Sequence, residues 1–187
     1  MSAAKRYQLL VELDRAVLSK VFDALKLARA RRESHGVRYS LNLSGPTIGD
    51  PAFLEWLLSY IGPQGVPGDW LQFELTESAA VAHVSQTQAL IRKLRARGVE
   101  FALDDFGTGA SSFSYLKTFD VGMLKLDGSF TRDLLTDTRS ESLVRGIAQL
   151  GRGIRKCCRF CALITRQRRH DAGEDVRLLR HLEVRRI

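Results

Sequence analysis

Asp104 and Asp105 stand side by side at the end of the apolar run Phe101-Ala102-Leu103, and the segment Phe106-Gly107-Thr108-Gly109-Ala110-Ser111-Ser112 follows at once. Adjacent carboxylates repel each other unless a cation or hydrogen-bond donors offset the charge. Glycine tolerates backbone angles that other residues resist, so the chain can turn sharply there and approach a ligand closely. The combination suggests a strand that ends in a metal- or phosphate-handling loop.

The same placement recurs along the chain. Asn42, Glu74, Asp104 and Lys125 each stand opposite the apolar row of an alternating segment, close to its C-terminal end. Intervals of 32, 30 and 21 residues separate them, a sensible length for one βα unit each. An amide oxygen, two carboxylates and an ammonium therefore converge on one mouth, with Asp105 and Glu77 nearby. Hard oxygen donors of this kind suit Mg2+ or Mn2+ rather than zinc. Paired carboxylates can bridge two such ions, which activate a water and clamp the phosphoryl oxygens of an in-line displacement. Lys125 would hold a phosphate oxygen or position the attacking water, and phosphodiester hydrolysis is the chemistry that needs this set. Each residue also has a plain reading. A single strand-end carboxylate is ordinarily solvated or capping, Asn42 alone reads as a turn former, and Lys125-Leu126-Asp127 as a charge pair on one strand face. Four matching positions on four successive segments are harder to assign to chance.

The elements that must position these groups are readable from periodicity. Val37–Ser44, Leu71–Thr76, Phe101–Phe106 and Met123–Asp127 are expected as strands. Helices are expected from Glu12 to about Arg32, from Asp50-Pro51 to Gly62-Pro63, from about His83 to Arg97 and over Ser140–Leu150, with a short one at Ser111–Lys117. Strands separated by helices indicate a parallel sheet of βαβ units. With no GxGxxG after the first strand, a (β/α) barrel is favoured over a dinucleotide-binding sheet, and inward groups at the C-terminal rim of such a barrel form its active site.

Composition narrows the function class. The formal charge of +8 is concentrated at one end: residues 1–151 hold 18 Lys and Arg against 17 Asp and Glu, residues 152–187 hold 11 against 4. The body is nearly neutral, and the basic end could attract RNA or DNA electrostatically but has no aromatic interleaving or fold motif, so no specific nucleic-acid binding is expected. No run approaches the roughly 20 apolar residues that span a bilayer, and the N-terminus lacks a signal-peptide core. No membrane partner is expected, and the cytoplasm is the expected compartment.

The segments Asn42-Leu43-Ser44, Glu74-Leu75-Thr76-Glu77-Ser78, Asp104 through Lys117, and Leu124-Lys125-Leu126-Asp127-Gly128-Ser129-Phe130 resemble the EAL family. The resemblance covers roughly residues 7–151 and implies an α/β fold of the (β/α)8 TIM-barrel type, here incomplete, with about four βα units. It implies a phosphodiesterase that hydrolyses cyclic di-GMP to the linear dinucleotide pGpG in bacterial second-messenger signalling, using two Mg2+ or Mn2+ ions. Carried over onto these positions, Asn42, Glu74 and Asp104 would be metal ligands and Asp105 would hold the second ion. Lys125 would contact the scissile phosphate or the attacking water, and Glu77 would fix the loop beginning at Phe106. Homodimerisation is left open, as is the alternative of a non-catalytic cyclic di-GMP-binding or protein-interaction module.

Two parts of the family pattern are not found: the Glu-Ala-Leu strand that should precede Tyr7, and the Ala-Glu-Gly-Val-Glu strand that should follow Leu150-Gly151-Arg152-Gly153. The expectation is a partial domain over 1–151, truncated at both ends and impaired or inactive, with 152–187 as a divergent basic tail outside the native fold. Out-of-frame reading of a GC-rich gene near residue 152 would produce such an Arg- and Cys-containing tail. Translation of the other two frames tests this, and the absence of Ala-Glu-Gly-Val-Glu from both would refute it. A zinc reading of Cys157, Cys158 and Cys161 is disfavoured, because adjacent cysteines do not easily both face one tetrahedral ion.

Overall fold

The sheet is parallel throughout and its spatial order repeats the chain order, β1-β2-β3-β4-β5. The structure is a computed structural model, and it describes residues 9–31, 37–107, 115–132, 137–153 and 157–160. The strands are β1 Tyr39–Leu43, β2 Leu71–Thr76, β3 Glu100–Phe106, β4 Met123–Leu126 and β5 Cys157–Phe160. The helices are α1 Leu10–Ala30, α2 Gly45–Ile48, α3 Pro51–Tyr60, α4 Glu77–Ala82, α5 Val84–Arg95, α6 Gly128–Arg132 and α7 Thr138–Gly153.

One face of the sheet builds the core. Phe73, Leu75, Phe101, Leu103, Leu124 and Leu126 are buried with Leu18 and Phe22 of α1, Phe53 and Leu57 of α3, and Leu90 and Leu94 of α5. These positions follow period two in the strands and period three to four in the helices, the only spacings that keep an apolar row on one side. The helix α3 starts where expected. Asp50 Oδ1 accepts from Ala52 N at 2.9 Å and from Phe53 N at 3.4 Å, and Pro51 takes the first turn, where a missing N–H costs nothing.

The other face carries the polar rows. In register, Ser40 pairs with Gln72 and Asn42 with Glu74. Gln72 Nε2 donates to Ser40 Oγ at 3.1 Å, one layer below Glu74. Leu43 is buried at the end of β1, whereas Tyr39 at its start is exposed. The expected apolar row of this strand is thus covered only toward the site.

Three features differ from the sequence expectation. The helix placed from about His83 is preceded by α4, whose start is capped by Thr76 Oγ1 accepting from Ala79 N at 3.3 Å. The short helix α2 was not expected, since four residues carry no readable period. The short helix expected at Ser111–Lys117 falls largely outside the described residues. Beyond residue 151, in the segment expected to lie outside the native fold, α7 continues to Gly153 and β5 pairs along β4. The open edge of β4 supplies the backbone partners that make Cys157–Phe160 a strand despite its lack of alternation.

Candidate active site

Lys125 sits on β4 with its side chain on the polar face, where it meets carboxylates from two other strands. Its Nζ donates to Glu74 Oε2 at 2.6 Å and to Asp104 Oδ2 at 2.7 Å. The three side chains are 17%, 10% and 18% exposed respectively, so the triad is largely shielded from water. Charge-assisted bonds at these distances are stronger than neutral ones, and partial burial protects them from screening. Burial alone would lower the Lys125 pKa. The hydrogen bonds and charges of Asp104 and Glu74 outweigh it and hold the ammonium above its ordinary value.

The Asp104-Asp105 pair owes its geometry to a β-bulge. Leu103 pairs with Leu124 and Phe106 with Leu126, so two residues of β3 face Lys125 alone on β4. Asp105 absorbs the extra step with φ of 54°, the one non-glycine positive φ among the described residues. Aspartate tolerates this left-handed conformation better than branched or bulky residues. Asp105 N in turn donates to Asp104 Oδ1 at 3.0 Å. Partial loss of water, then the neighbouring charges of Asp104 and Asp127, push the Asp105 pKa above the ordinary carboxylate value, against an opposing pull from Lys125.

Glu77 opens α4 and is buried at 4% exposure. Its Oε2 accepts from Gly107 N at 3.0 Å, across from the strand that carries the Asp pair. Asn42 lies on β1 beside Glu74 in register and is exposed. The structure therefore brings Glu74, Asp104 and Lys125 into direct contact, sets Asp105 at the bend, and gives Glu77 a bond to the following loop.

Two residues beyond the sequence candidates belong to this neighbourhood. Asp14 of α1 accepts at Oδ2 from Ser44 N at 2.9 Å and Thr47 Oγ1 at 2.6 Å, tying α1 to the turn after Asn42. No sequence signal marks it, since a lone acid within a helix pattern reads as solvated. Asp127, expected at most to pair with Lys125, accepts at Oδ1 from Ser129 N at 2.7 Å and faces Asp105 with its charge. The run Asp-Gly-Ser after a strand is a turn-capping signal that could have marked it.

The donor set of Asn42, Glu74, Asp104 and Asp105 consists of oxygens alone, and carboxylate-rich oxygen sites fit Mg2+ or Mn2+. Among the described residues, no three His, Cys, Asp or Glu side chains converge closely enough to hold a metal. Lys125 supplies the positive charge between Glu74 and Asp104. Among the same residues, no helix is long and apolar enough to cross a membrane.

Comparison with known proteins gives a consistent result. The family model for the EAL domain matches residues 1–158. The chain is 32% identical over 152 residues to the cyclic di-GMP phosphodiesterase PdeB of Shewanella oneidensis, covering 81% of this chain and 18% of that protein. Among solved structures, it is similar to the FimX EAL domain of Pseudomonas aeruginosa bound to cyclic di-GMP. The TM-score is 0.74 at 25% identity, covering 85% of this chain and 62% of that one. The manganese and cyclic di-GMP complex of Klebsiella pneumoniae BlrP1 shares the fold, with a TM-score of 0.65 at 24% identity, covering 86% of this chain and 39% of that one. The chain thus spans less than a fifth of its curated relative and under two thirds of these solved chains. A parallel sheet of βα units, a polar rim of Asn, Glu, Asp and Lys in matching strand positions, and a family match over most of the length lead to one assignment: the chain belongs to the EAL domain family.

Proposed function

We propose that this domain is a phosphodiesterase that hydrolyses cyclic di-GMP to linear pGpG. The observation that carries the reading is the Lys125 ammonium bonded to both Glu74 and Asp104 at the C-terminal ends of three neighbouring strands. Asn42, Glu74 and Asp104 would hold one Mg2+ or Mn2+, and Asp105 would hold the second. When bound, such ions supply Lewis-acid polarisation of the phosphoryl oxygens and a nucleophilic water. Lys125 holds a nonbridging phosphate oxygen or orients the water, and Glu77 fixes the turn at Gly107. In the reaction, a water oxygen bonds to phosphorus and gives up a proton, one ring P–O bond breaks, and the departing oxygen takes up a proton. A cytoplasmic location follows from the substrate class.

A second reading, a module that binds cyclic di-GMP without hydrolysing it, draws on one observation. Among the described residues the carboxylates do not close into a group of three, and Lys125 takes up two of them. Incubation of the purified chain with cyclic di-GMP and Mn2+ separates the two. Appearance of pGpG that is lost in Glu74→Gln supports the first. Calorimetric binding in Ca2+ with no pGpG in Mn2+ supports the second. Neither binding nor turnover would refute both.

A further inference from the structure

The bend that follows the Asp pair is held from two sides, and only one of them involves a candidate site residue. Asp105 at φ 54° and Gly107 at φ 100° flank the fully buried Phe106, so β3 ends in two left-handed steps separated by one core residue. Each such step at a non-glycine residue costs roughly 1 kcal/mol or more and persists only where its surroundings impose it. On one side Glu77 Oε2 accepts from Gly107 N. On the other side lies α6. Asp127 N donates to Phe106 O at 3.4 Å, and the Phe130 ring is pressed against Gly107. A Cβ on Gly107 would stand 2.7 Å from Phe130 Cε2 and 2.8 Å from Cζ, closer than carbon atoms approach without contact strain. No side chain other than hydrogen fits there with the ring in place.

We propose that Phe130 is a positioning residue for the Asp104-Asp105 pair: its ring, seated on the bare Cα of Gly107, holds the β3 bulge in register with Lys125. The proposal rests on the reading of this site as the phosphodiesterase centre. Its physical basis is that Lys125 and Phe130 belong to one strand-and-helix unit. A ring that clamps the end of β3 to α6 thereby fixes the distance between the Asp pair and the lysine. Glu77 supplies a polar tether from the opposite neighbour, α4, through the Gly107 amide, and the ring packs the same turn from the β4 side. Removing the ring would let Asp105 relax toward extended backbone, which carries its carboxylate off the site.

The test compares Phe130→Ala and Phe130→Leu with the unaltered full chain, reading Mn2+ affinity by calorimetry and residue-specific amide exchange by NMR. Phe130→Ala is expected to weaken Mn2+ binding about 10- to 100-fold, the scale seen when groups behind a metal ligand are disturbed. It should also speed exchange at the Gly107 amide by about tenfold or more while the β2 amides are unchanged. Phe130→Leu, which refills most of the volume, should stay within about threefold of the unaltered chain in affinity. Unchanged Mn2+ affinity and unchanged Gly107 exchange in Phe130→Ala would overturn the proposal while leaving the site reading intact. If the unaltered chain binds no Mn2+, the site reading fails, and Gly107 exchange alone decides whether the clamp exists. Should Phe130→Ala not fold, Phe130→Val, which removes the ring over Gly107 but keeps a branched apolar side chain, takes its place: faster Gly107 exchange supports the clamp and unchanged exchange refutes it.

Discussion

At the scale of single residues, the site is a balance of charges that each cost something alone. Lys125 offsets the repulsion between Glu74 and Asp104, and all three side chains have given up most of their water. Lys125→Met should therefore destabilise the fold by about 2 kcal/mol, a broken buried pair discounted for partial exposure. Denaturant unfolding at pH 7 measures it. The pH dependence has a definite sign. The folded-state pKa of Lys125 is raised, so its contribution is complete below the unfolded value of about 10.4 and is lost as pH rises through the higher folded value. The stability gap between the two proteins should stay constant from neutral pH to about pH 9 and close above about 10.4. Asp105 works in the opposite direction. Its raised pKa means that its charge opposes folding once pH exceeds the unfolded value of about 3.9. Asp105→Asn keeps the left-handed backbone and removes the charge, so its Tm should exceed that of the unaltered chain at pH 7. The difference should shrink in high salt and vanish on acidification below about pH 3.9. An equal Tm at pH 7 and low salt would contradict this account.

At the scale of elements, period two in the strands places Asn42, Glu74, Asp104 and Lys125 opposite their apolar rows, so the candidate set is legible without coordinates. Cross-strand register is not legible. Nothing in the sequence says that Asp104 reaches across a bulge to Lys125, because the bulge exists only when β4 pairs with both Leu103 and Phe106. The positive φ at Asp105 has the same origin. The helices α2 and α4 are too short to show a period, and β5 is made a strand by its neighbour rather than by its own pattern. Where a local signal was strong it held. Asp50-Pro51 marks a helix start, and the Asp50 carboxylate does cap α3. Asp50→Ala should accordingly cost about 1 kcal/mol of stability, measured by denaturant unfolding, with the midpoint shifted and the slope unchanged.

At the scale of the whole molecule, every strand lies beside the one that follows it in the chain. The central strands β2 and β3 are bonded on both sides and buried on both faces through most of their length, whereas among the described residues β1 has a single partner and an exposed start. Amide exchange should thus be slowest in β2 and β3 and fastest in β1 and β5, and uniform protection across the sheet would contradict this. The sequential order of strands has a further consequence, for synthesis. Each βα unit finds its docking surface already made by residues that left the ribosome just before it, so the sheet can grow vectorially. Under that order Lys125 is the last of the three to be made, so Glu74 and Asp104 leave the ribosome before the charge that offsets them. The interval between completing β3 and adding β4 is when a nascent domain of this kind is most in need of a counterion.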